Sequence, residues 1–219
     1  MEKELFYKDR GTTYQKNNPE SIIRYQRLLK WMQLQDNANV IEIGCMFGLL
    51  RDMLEETAAQ KIHYKGLEID QNTLNLIKKR TEDFICHNVN KGLPFDNEIA
   101  DYIVGLEIVE HLENPTFFFS EAKRVLKPGG KIIVSMPNPY YYGDILAHMK
   151  QSHDTEGHLS SFTFVNIDAL MRFSGMKLLA IQGTFTRVPF TQRLLGNYKL
   201  LKTNNIFLTR SYMYLIARE

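Results

Sequence analysis

The sequence predicts an α/β protein built on a parallel β-sheet with helices on both faces. Short apolar runs typical of strands alternate with helical patterns from about residue 39 to residue 136, and such alternation indicates βαβ units. The first two of these strands carry an acidic residue near their carboxyl ends, Glu42 and Glu68. Open α/β sheets bind their ligands at that edge, so the same two residues predict where a site lies.

The individual elements follow from periodicity and from breaker residues. Pro19 opens a helix with apolar residues at helical spacing, and Asn37 ends that region before the first strand at 39–43. Residues 137–161 show little periodicity and are predicted to be irregular. The remaining predicted elements are a helix at 49–57, a strand at 62–68, a helix at 72–80, strands at 83–87 and 101–106, a helix at 115–126, a strand at 131–136, a helix at 164–174, and two late strands near 176–184 and 206–217.

Composition limits the class of protein. The 219 residues are 44% hydrophobic, enough for one domain with a full core. A net charge of +2 gives no electrostatic reason to expect a nucleic-acid or membrane partner. Cys45 and Cys86 follow strand-like runs and are expected to be buried thiols in a reducing compartment. No secretory signal and no apolar run of membrane-spanning length is visible, so a cytoplasmic protein is expected.

The turn after the first strand suggests a nucleoside site. Gly44 and Gly48 let a ligand approach the main chain, because glycine has no Cβ. Glu68, one βα unit later, could accept hydrogen bonds from two ribose hydroxyls, although a plain tight turn is the other interpretation. A dinucleotide site would need glycine where Met46 stands, and no phosphate-binding lysine follows. Glu42 beside the turn suits a cationic, phosphate-free nucleoside such as S-adenosylmethionine.

Six stretches resemble class I S-adenosylmethionine-dependent methyltransferases and run in that family's order over residues 38–138. They are Glu42–Gly48, Gly66–Asp70, Asn88–Phe95, Asp101–Val104, Glu107–Leu112 and Arg124–Gly130. The resemblance implies a Rossmann-like three-layer αβα sandwich whose seven-stranded, mostly parallel sheet has an antiparallel last strand. It also implies one methyltransferase domain over 1–219, with an N-terminal arm and helix (1–37), a cofactor-binding core (38–138), an acceptor-side lid (139–163) and a C-terminal helix and strands (164–219).

The resemblance further implies which residues bind S-adenosylmethionine. The glycine turn would hold the methionine moiety and the sugar, Glu68 the ribose hydroxyls, and Ile69 the adenine face. Asn88 stands where the family usually has an acid, and its side-chain oxygen can accept the same bond from the adenine amino group. The complete predicted set is Glu42, Gly44, Cys45, Met46, Gly48, Glu68, Ile69, Asn88, Val89 and Leu106.

An acid and histidine cluster follows the fourth strand. Glu107, Glu110 and His111 stand at i, i+3 and i+4, so a helical turn there would project them from one face beside the methyl donor. His111 or Glu110 could act as general base. With His158 as a fourth ligand, the same residues could hold a divalent metal such as Mg²⁺, or they could simply brace the loop. The base without a metal is slightly favoured.

The acceptor is less defined than the donor. The predicted reaction is methyl transfer to a hydroxyl oxygen of a small metabolite or glycan. The Glu-x-x-Glu-His pattern with a later histidine also resembles O-methyltransferases of small-RNA 3′ ends and of ubiquinone synthesis. An RNA acceptor with a metal is therefore one alternative, weakened by the near-neutral charge. A non-catalytic adenosylmethionine-binding protein and a dehydrogenase are the others.

The late segment Thr184–Asn205 is basic and aromatic. It could bind an anionic acceptor, but a solvated insertion with some core contacts is the favoured interpretation. Its basic residues are Arg187, Arg193, Lys199 and Lys202.

Overall fold

The computed structural model describes residues 18–57, 59–150, 157–192, 196 and 198–218. The predicted N-terminal arm, up to residue 17, and Arg193 lie outside these residues. The helices are α1 (Pro19–Leu29), α2 (Leu49–Thr57), α3 (Gln71–Leu74), α4 (Pro115–Val125), α5 (Tyr142–Met149) and α6 (Phe164–Phe173). The strands are β1 (Ala38–Ile43), β2 (Ile62–Glu68), β3 (Phe84–Cys86), β4 (Ala100–Leu106), β5 (Leu126–Pro137), β6 (Met176–Gly183), β7 (Thr186–Arg187), β8 (Leu200–Leu201) and β9 (Ser211–Arg218).

Seven of the strands form one sheet in the order β3-β2-β1-β4-β5-β9-β6. The pairs among β1 to β5 are parallel, and β9 runs antiparallel between β5 and β6. The seven-stranded, mostly parallel sheet with an antiparallel last strand is therefore confirmed. Strands β7 and β8 pair in a separate two-stranded ribbon that the sequence did not predict.

The central strands are buried on both faces. Ile41 and Ile43 pack into one apolar cluster with α4, whereas Val40 packs into the other with α1 and α2. Successive strand side chains point to opposite faces of a sheet, so each central strand contributes side chains to both clusters. This two-sided burial explains why the strands are continuous apolar runs, and it leaves the strand ends as the places where polar side chains collect.

Several predicted boundaries are wrong, each for a local reason. The helix predicted at 72–80 is only α3, which Asp70 caps through bonds from the Asn72 and Thr73 amides. Beyond Leu74 the chain offers no buried anchor, since Leu76 is 59% exposed, and packing rather than propensity sustains short helices. The stretch predicted to be irregular contains α5. Strand β5 begins earlier than predicted, and β9 begins at residue 211 rather than 206.

The two thiols differ in environment. Cys45 is buried, as predicted, but Cys86 is exposed. Cys86 ends β3, a three-residue strand at the sheet edge, and an edge position has no neighbouring strand to cover it. The prediction of two buried thiols is therefore wrong for Cys86.

Among the described residues, no helix has both the length and the apolar character that crossing a membrane requires. The cytoplasmic location stays a prediction.

Candidate functional site

A cleft of about 650 Å³ opens where β1, β2 and β4 end. Parallel strands present their carboxyl ends at one edge, so the residues that follow these strands meet there. Because β9 is antiparallel, its beginning and the end of β6 reach the same edge. The last part of the chain and α1 therefore wall the cleft opposite the turns of the first half.

The turn after β1 has the left-handed backbone that glycine adopts readily. Gly44 has φ +69° and lines the cleft, and a Cβ there would lie 2.1 Å from Cδ1 of Ile108. Met46 also lies in the left-handed region, with φ +47°, and it too lines the cleft. The position predicted to depart from glycine thus keeps the glycine-like backbone and adds a thioether side chain to the wall.

Glu42 lies behind this turn rather than in the cleft. Its carboxylate accepts hydrogen bonds from the hydroxyls of Tyr25 (2.5 Å) and Tyr64, and it is 1% exposed. Burial raises its pKa to about 8, although the two tyrosine bonds act in the opposite direction. Cys45 is buried beside it. Glu42 and Cys45 therefore support the turn from beneath. The sequence could not show whether they support the turn or contact a ligand.

Replacing Glu42 is expected to change how stability depends on pH. Its pKa is about 8 in the folded chain against 4.5 ordinarily, so the folded state binds this proton more tightly. Its contribution is complete below about pH 4.5 and is lost as pH rises through about 8, at up to about 1.4 kcal/mol per pH unit. The side chain introduced by Glu42→Gln cannot titrate. The free energy of unfolding of this variant should therefore rise relative to that of wild type as the pH increases from 5 to 8. Denaturant titrations at several pH values measure this, and parallel curves would contradict it.

Glu68 ends β2 at the centre of the cleft. Its Oε2 accepts from the Met46 amide (3.1 Å), and its Oε1 accepts from the amides of Ile69 (2.8 Å) and Asp70 (3.2 Å). Burial raises the pKa of this carboxyl, while the three amide bonds lower it. The amides fix the carboxylate at the floor of the cleft and leave it further lone pairs for a ligand.

The remaining predicted nucleoside residues collect on the same side. Ile69, Asn88, Val89 and Leu106 all line the cleft. The Asn88 side-chain oxygen accepts from the Asn90 amide (3.0 Å) and so caps the short turn that carries Val89. Gly48, Glu42 and Cys45 are the members of the predicted set that do not line the cleft.

Glu110, His111 and His158 come together at the cleft edge. One ligand atom from each lies within 4.8 Å of the others. The two imidazole rings are 4.8 Å apart at their centroids, and the His111 Nδ1 lies 3.0 Å from the Gly157 carbonyl oxygen. The Glu110 carbonyl accepts from the amides of Leu159 and Ser160, which anchors the segment that carries His158.

Glu107 does not share their face. It precedes the turn Val109–His111, has φ +55°, and bonds to Arg24 (3.1 Å) and to the Ser135 hydroxyl (2.6 Å). The prediction that Glu107, Glu110 and His111 project together is wrong, because the left-handed backbone at Glu107 redirects its side chain before the helical turn begins.

Three charged residues of the cleft were not predicted from the sequence. Glu20 and Arg24 lie on α1, and Arg210 immediately precedes β9. Arg24 is 7% exposed and also bonds to Ser211. The only signal in the sequence was the amphipathic pattern of α1, in which Glu20 and Arg24 stand four residues apart.

Known proteins resemble this chain in sequence. Residues 41–134 match a family model described as a methyltransferase domain. A probable S-adenosylmethionine-dependent methyltransferase from Mycolicibacterium smegmatis is 27% identical over 209 residues, covering 84% of this chain and 78% of the relative. A mitochondrial ubiquinone biosynthesis O-methyltransferase from Dictyostelium discoideum is 28% identical over 127 residues, covering 51% of this chain and 39% of that protein. The chain therefore matches well under half of that relative.

Solved structures agree on the fold. A methyltransferase of Haloferax volcanii, solved in complex with the Trm112 methyltransferase activator, superposes with a TM-score of 0.70 at 16% identity, covering 99% of this chain and 97% of that one. A SAM-dependent methyltransferase from Archaeoglobus fulgidus gives a TM-score of 0.67 at 15% identity, covering 93% and 95%.

Proposed function

The chain is a class I S-adenosylmethionine-dependent methyltransferase, and from this premise we propose that it methylates a hydroxyl oxygen of a small metabolite or glycan. The observation that carries the proposal is the hydrogen bond between His111 Nδ1 and the Gly157 carbonyl. A carbonyl only accepts, so this bond selects the tautomer that carries its proton on Nδ1. The Nε2 atom is then left with the lone pair that a general base needs.

The donor is assigned to the side of the cleft formed by the first half of the chain. Glu68 would accept from both ribose hydroxyls, Ile69 and Val89 would enclose the adenine, and Asn88 would contact its edge. Gly44 and Met46 would follow the methionine moiety. These positions are supported by their common cleft and by the family to which the chain belongs.

The donor also has a carboxylate, and Arg24 is the proposed partner for it. Arg24 lines the same cleft as Gly44 and Met46 of the β1 turn, and its guanidinium bonds to Glu107, which follows β4. A guanidinium fork matches the geometry of a carboxylate. Arg24 is therefore assigned to the tail of the donor.

The reaction then needs little beyond alignment and one proton transfer. The acceptor oxygen attacks the methyl carbon as the carbon–sulfur bond breaks, and the sulfonium becomes the neutral thioether of S-adenosylhomocysteine. Nε2 of His111 takes the hydroxyl proton. The Glu110 carboxylate, with Oε1 4.0 Å from Nε2, stabilises the resulting imidazolium. Holding the reactants in line supplies most of the remaining acceleration.

The segment next to the proposed acceptor position would form a lid over the cleft. We assign residues 139–163, of which 151–156 lie outside the described residues, to this role because Tyr142 begins α5 and donates its hydroxyl to the Arg187 carbonyl (2.9 Å). The single domain over 1–219 stays part of the same proposal.

A direct assay tests the proposed function. Purified protein is incubated with S-adenosylmethionine and fractionated metabolite, glycan or RNA pools, and S-adenosylhomocysteine release is measured. Release with a metabolite or glycan pool supports the proposal. Release with an RNA pool alone favours the RNA 3′-end alternative. Binding of the donor without release in any pool favours a non-catalytic adenosylmethionine-binding protein.

A metal-assisted version is the second candidate, favoured by the convergence of Glu110, His111 and His158. One carboxylate and two imidazoles fit an ion such as Zn²⁺ or Mn²⁺ better than the Mg²⁺ expected from the sequence, because Mg²⁺ prefers oxygen ligands. The bond from His111 Nδ1 to Gly157 would orient the ring for an ion at Nε2. A bound ion would lower the pKa of an acceptor hydroxyl.

Chelation separates the two versions. We expect EDTA treatment followed by desalting to leave the rate of S-adenosylhomocysteine release unchanged, because the base needs no ion. A control sample is treated with EDTA and reloaded with Zn²⁺, Mn²⁺ or Mg²⁺. Loss of activity that one ion restores, together with stoichiometric metal in the untreated protein, would replace the general-base version with the metal version.

A further inference from the structure

The acceptor side of the cleft holds a cluster of arginines that the methyl transfer described above does not use. The cluster consists of Arg187, after β6, and Arg210, before β9, with Glu20 on α1 between them. Arg187 Nε donates to Oε1 of Glu20, and Arg210 Nε lies 3.6 Å from Oε2 of the same carboxylate. All three side chains line the cleft.

Two guanidinium groups converge on one carboxylate at this end of the cleft. Arg187 and Arg210 both contact Glu20, so this carboxylate has a guanidinium partner on each side. Although burial raises the pKa of Glu20, the bond and charge of Arg187, then Arg210 and Arg24, hold that pKa below its ordinary value. Glu20 therefore carries its negative charge between the guanidinium groups of Arg187 and Arg210.

The contacts of Arg187 hold its side chain in a position where it can bind a ligand. Its Nε is bonded to Glu20, its guanidinium carbon lies 5.2 Å from the Tyr198 ring centroid, and its carbonyl accepts from Tyr142. Among the described residues, its two terminal nitrogens have no hydrogen-bond partner. Its side chain is only 29% exposed, so water screens the charge incompletely, and an ordered guanidinium loses little entropy when it binds.

We propose that Arg187 and Arg210 form an anion subsite that binds a carboxylate or phosphate group of the methyl acceptor, with Glu20 as the counter-ion in the empty subsite. The proposal rests on the proposed function, because it assigns the subsite to the acceptor of methyl transfer. It narrows the acceptor to a compound that carries both a hydroxyl and an acidic group. Guanidinium forks recognise both acidic groups by paired hydrogen bonds.

Anion binding is tested directly on the full chain, with and without saturating S-adenosylhomocysteine. Inorganic phosphate and benzoate are the probes, and sodium chloride holds the ionic strength constant. We expect the unfolding midpoint to rise with at least one probe, as ligand binding to the folded state requires. Arg187→Met should weaken the binding of that anion by about tenfold or more, because one charge-assisted hydrogen bond is lost. The stronger probe identifies phosphate or carboxylate as the acidic group.

Two further variants keep the test independent of misfolding. Glu20→Gln removes the competing carboxylate and should tighten anion binding, a gain that damage to the fold cannot produce. Arg172→Met is the matched control, because Arg172 lies on α6 with a side chain 74% exposed and outside the cleft. It should bind the anion as wild type does.

The outcomes separate this subsite from the proposed function. No midpoint rise in wild type, an equal rise in Arg187→Met, or weaker anion binding in Glu20→Gln would overturn the subsite. Titration calorimetry of S-adenosylhomocysteine reports the donor site separately, and Arg187→Met should leave that dissociation constant nearly unchanged, because Arg187 is not assigned to the donor. Failure of donor binding in wild type would instead overturn the proposed function.

Discussion

Glu68→Ala is expected to weaken S-adenosylmethionine binding by about a hundredfold or more. Two ribose hydroxyls would lose their charged acceptor, and each such bond contributes roughly 1.5–3 kcal/mol, where about 1.4 kcal/mol is a factor of ten. The Met46 and Ile69 amides would also lose their partner, so the turn would lose part of its organisation. Titration calorimetry with S-adenosylmethionine and S-adenosylhomocysteine measures the effect.

The controls separate the carboxylate from the turn. Glu68→Gln keeps the shape and one acceptor oxygen, so its affinity should fall between those of wild type and Glu68→Ala. Glu82→Ala removes an exposed acid outside the cleft and should bind like wild type. Thermal unfolding of each variant checks the fold. Wild-type affinity in Glu68→Ala would remove the ribose assignment.

His111→Ala is expected to lower kcat by about 10²- to 10⁴-fold, the usual contribution of a general base. Donor affinity should be little changed, because His111 is assigned to the acceptor. The acid limb of the pH–rate profile should disappear, since protonation of the base no longer limits the reaction. The readouts are kcat, KM for both substrates, and the pH profile of S-adenosylhomocysteine release.

Variants at two other histidines, one beside His111 and one outside the cleft, complete this experiment. His158→Ala should reduce kcat less than His111→Ala, because His158 packs beside the base and is not assigned the proton. His63→Ala is the matched control, since His63 is an exposed residue of β2 outside the cleft. An unchanged kcat in His111→Ala would leave bracing of the loop as the role of the cluster.

The side of the cleft that carries the predicted nucleoside residues could be located from the sequence because its determinants are local. Gly44, Met46 and Glu68 end or follow strands that periodicity located, and the ends of parallel strands necessarily meet. Glu42 shows the limit of such reasoning. Its position beside the turn was correct, but whether it faces a ligand or the interior depends on Tyr25 and Tyr64, which approach from other elements.

The wall of the cleft around Glu20 could not be predicted from the sequence, because long-range topology assembles it. Glu20 and Arg187 are 167 positions apart, and they meet because β6 ends, and the reversed β9 begins, at the edge that α1 covers. The sequence displayed Arg187 merely as one basic residue in a polar segment. At Glu107 the obstacle was different, since a single left-handed residue broke the helical spacing on which the predicted face depended.

The reversed strand β9 has a consequence for how such enzymes diversify. Because of it, the connection between β6 and β9 starts and ends at the ligand edge, while the turns that carry the predicted nucleoside residues belong to the first half. Apart from α1 and His111, the contacts proposed for the methyl source and for the acceptor are therefore encoded by separate stretches of the gene. We expect substitutions in the late stretch to alter the choice of acceptor while binding of the methyl source is inherited unchanged.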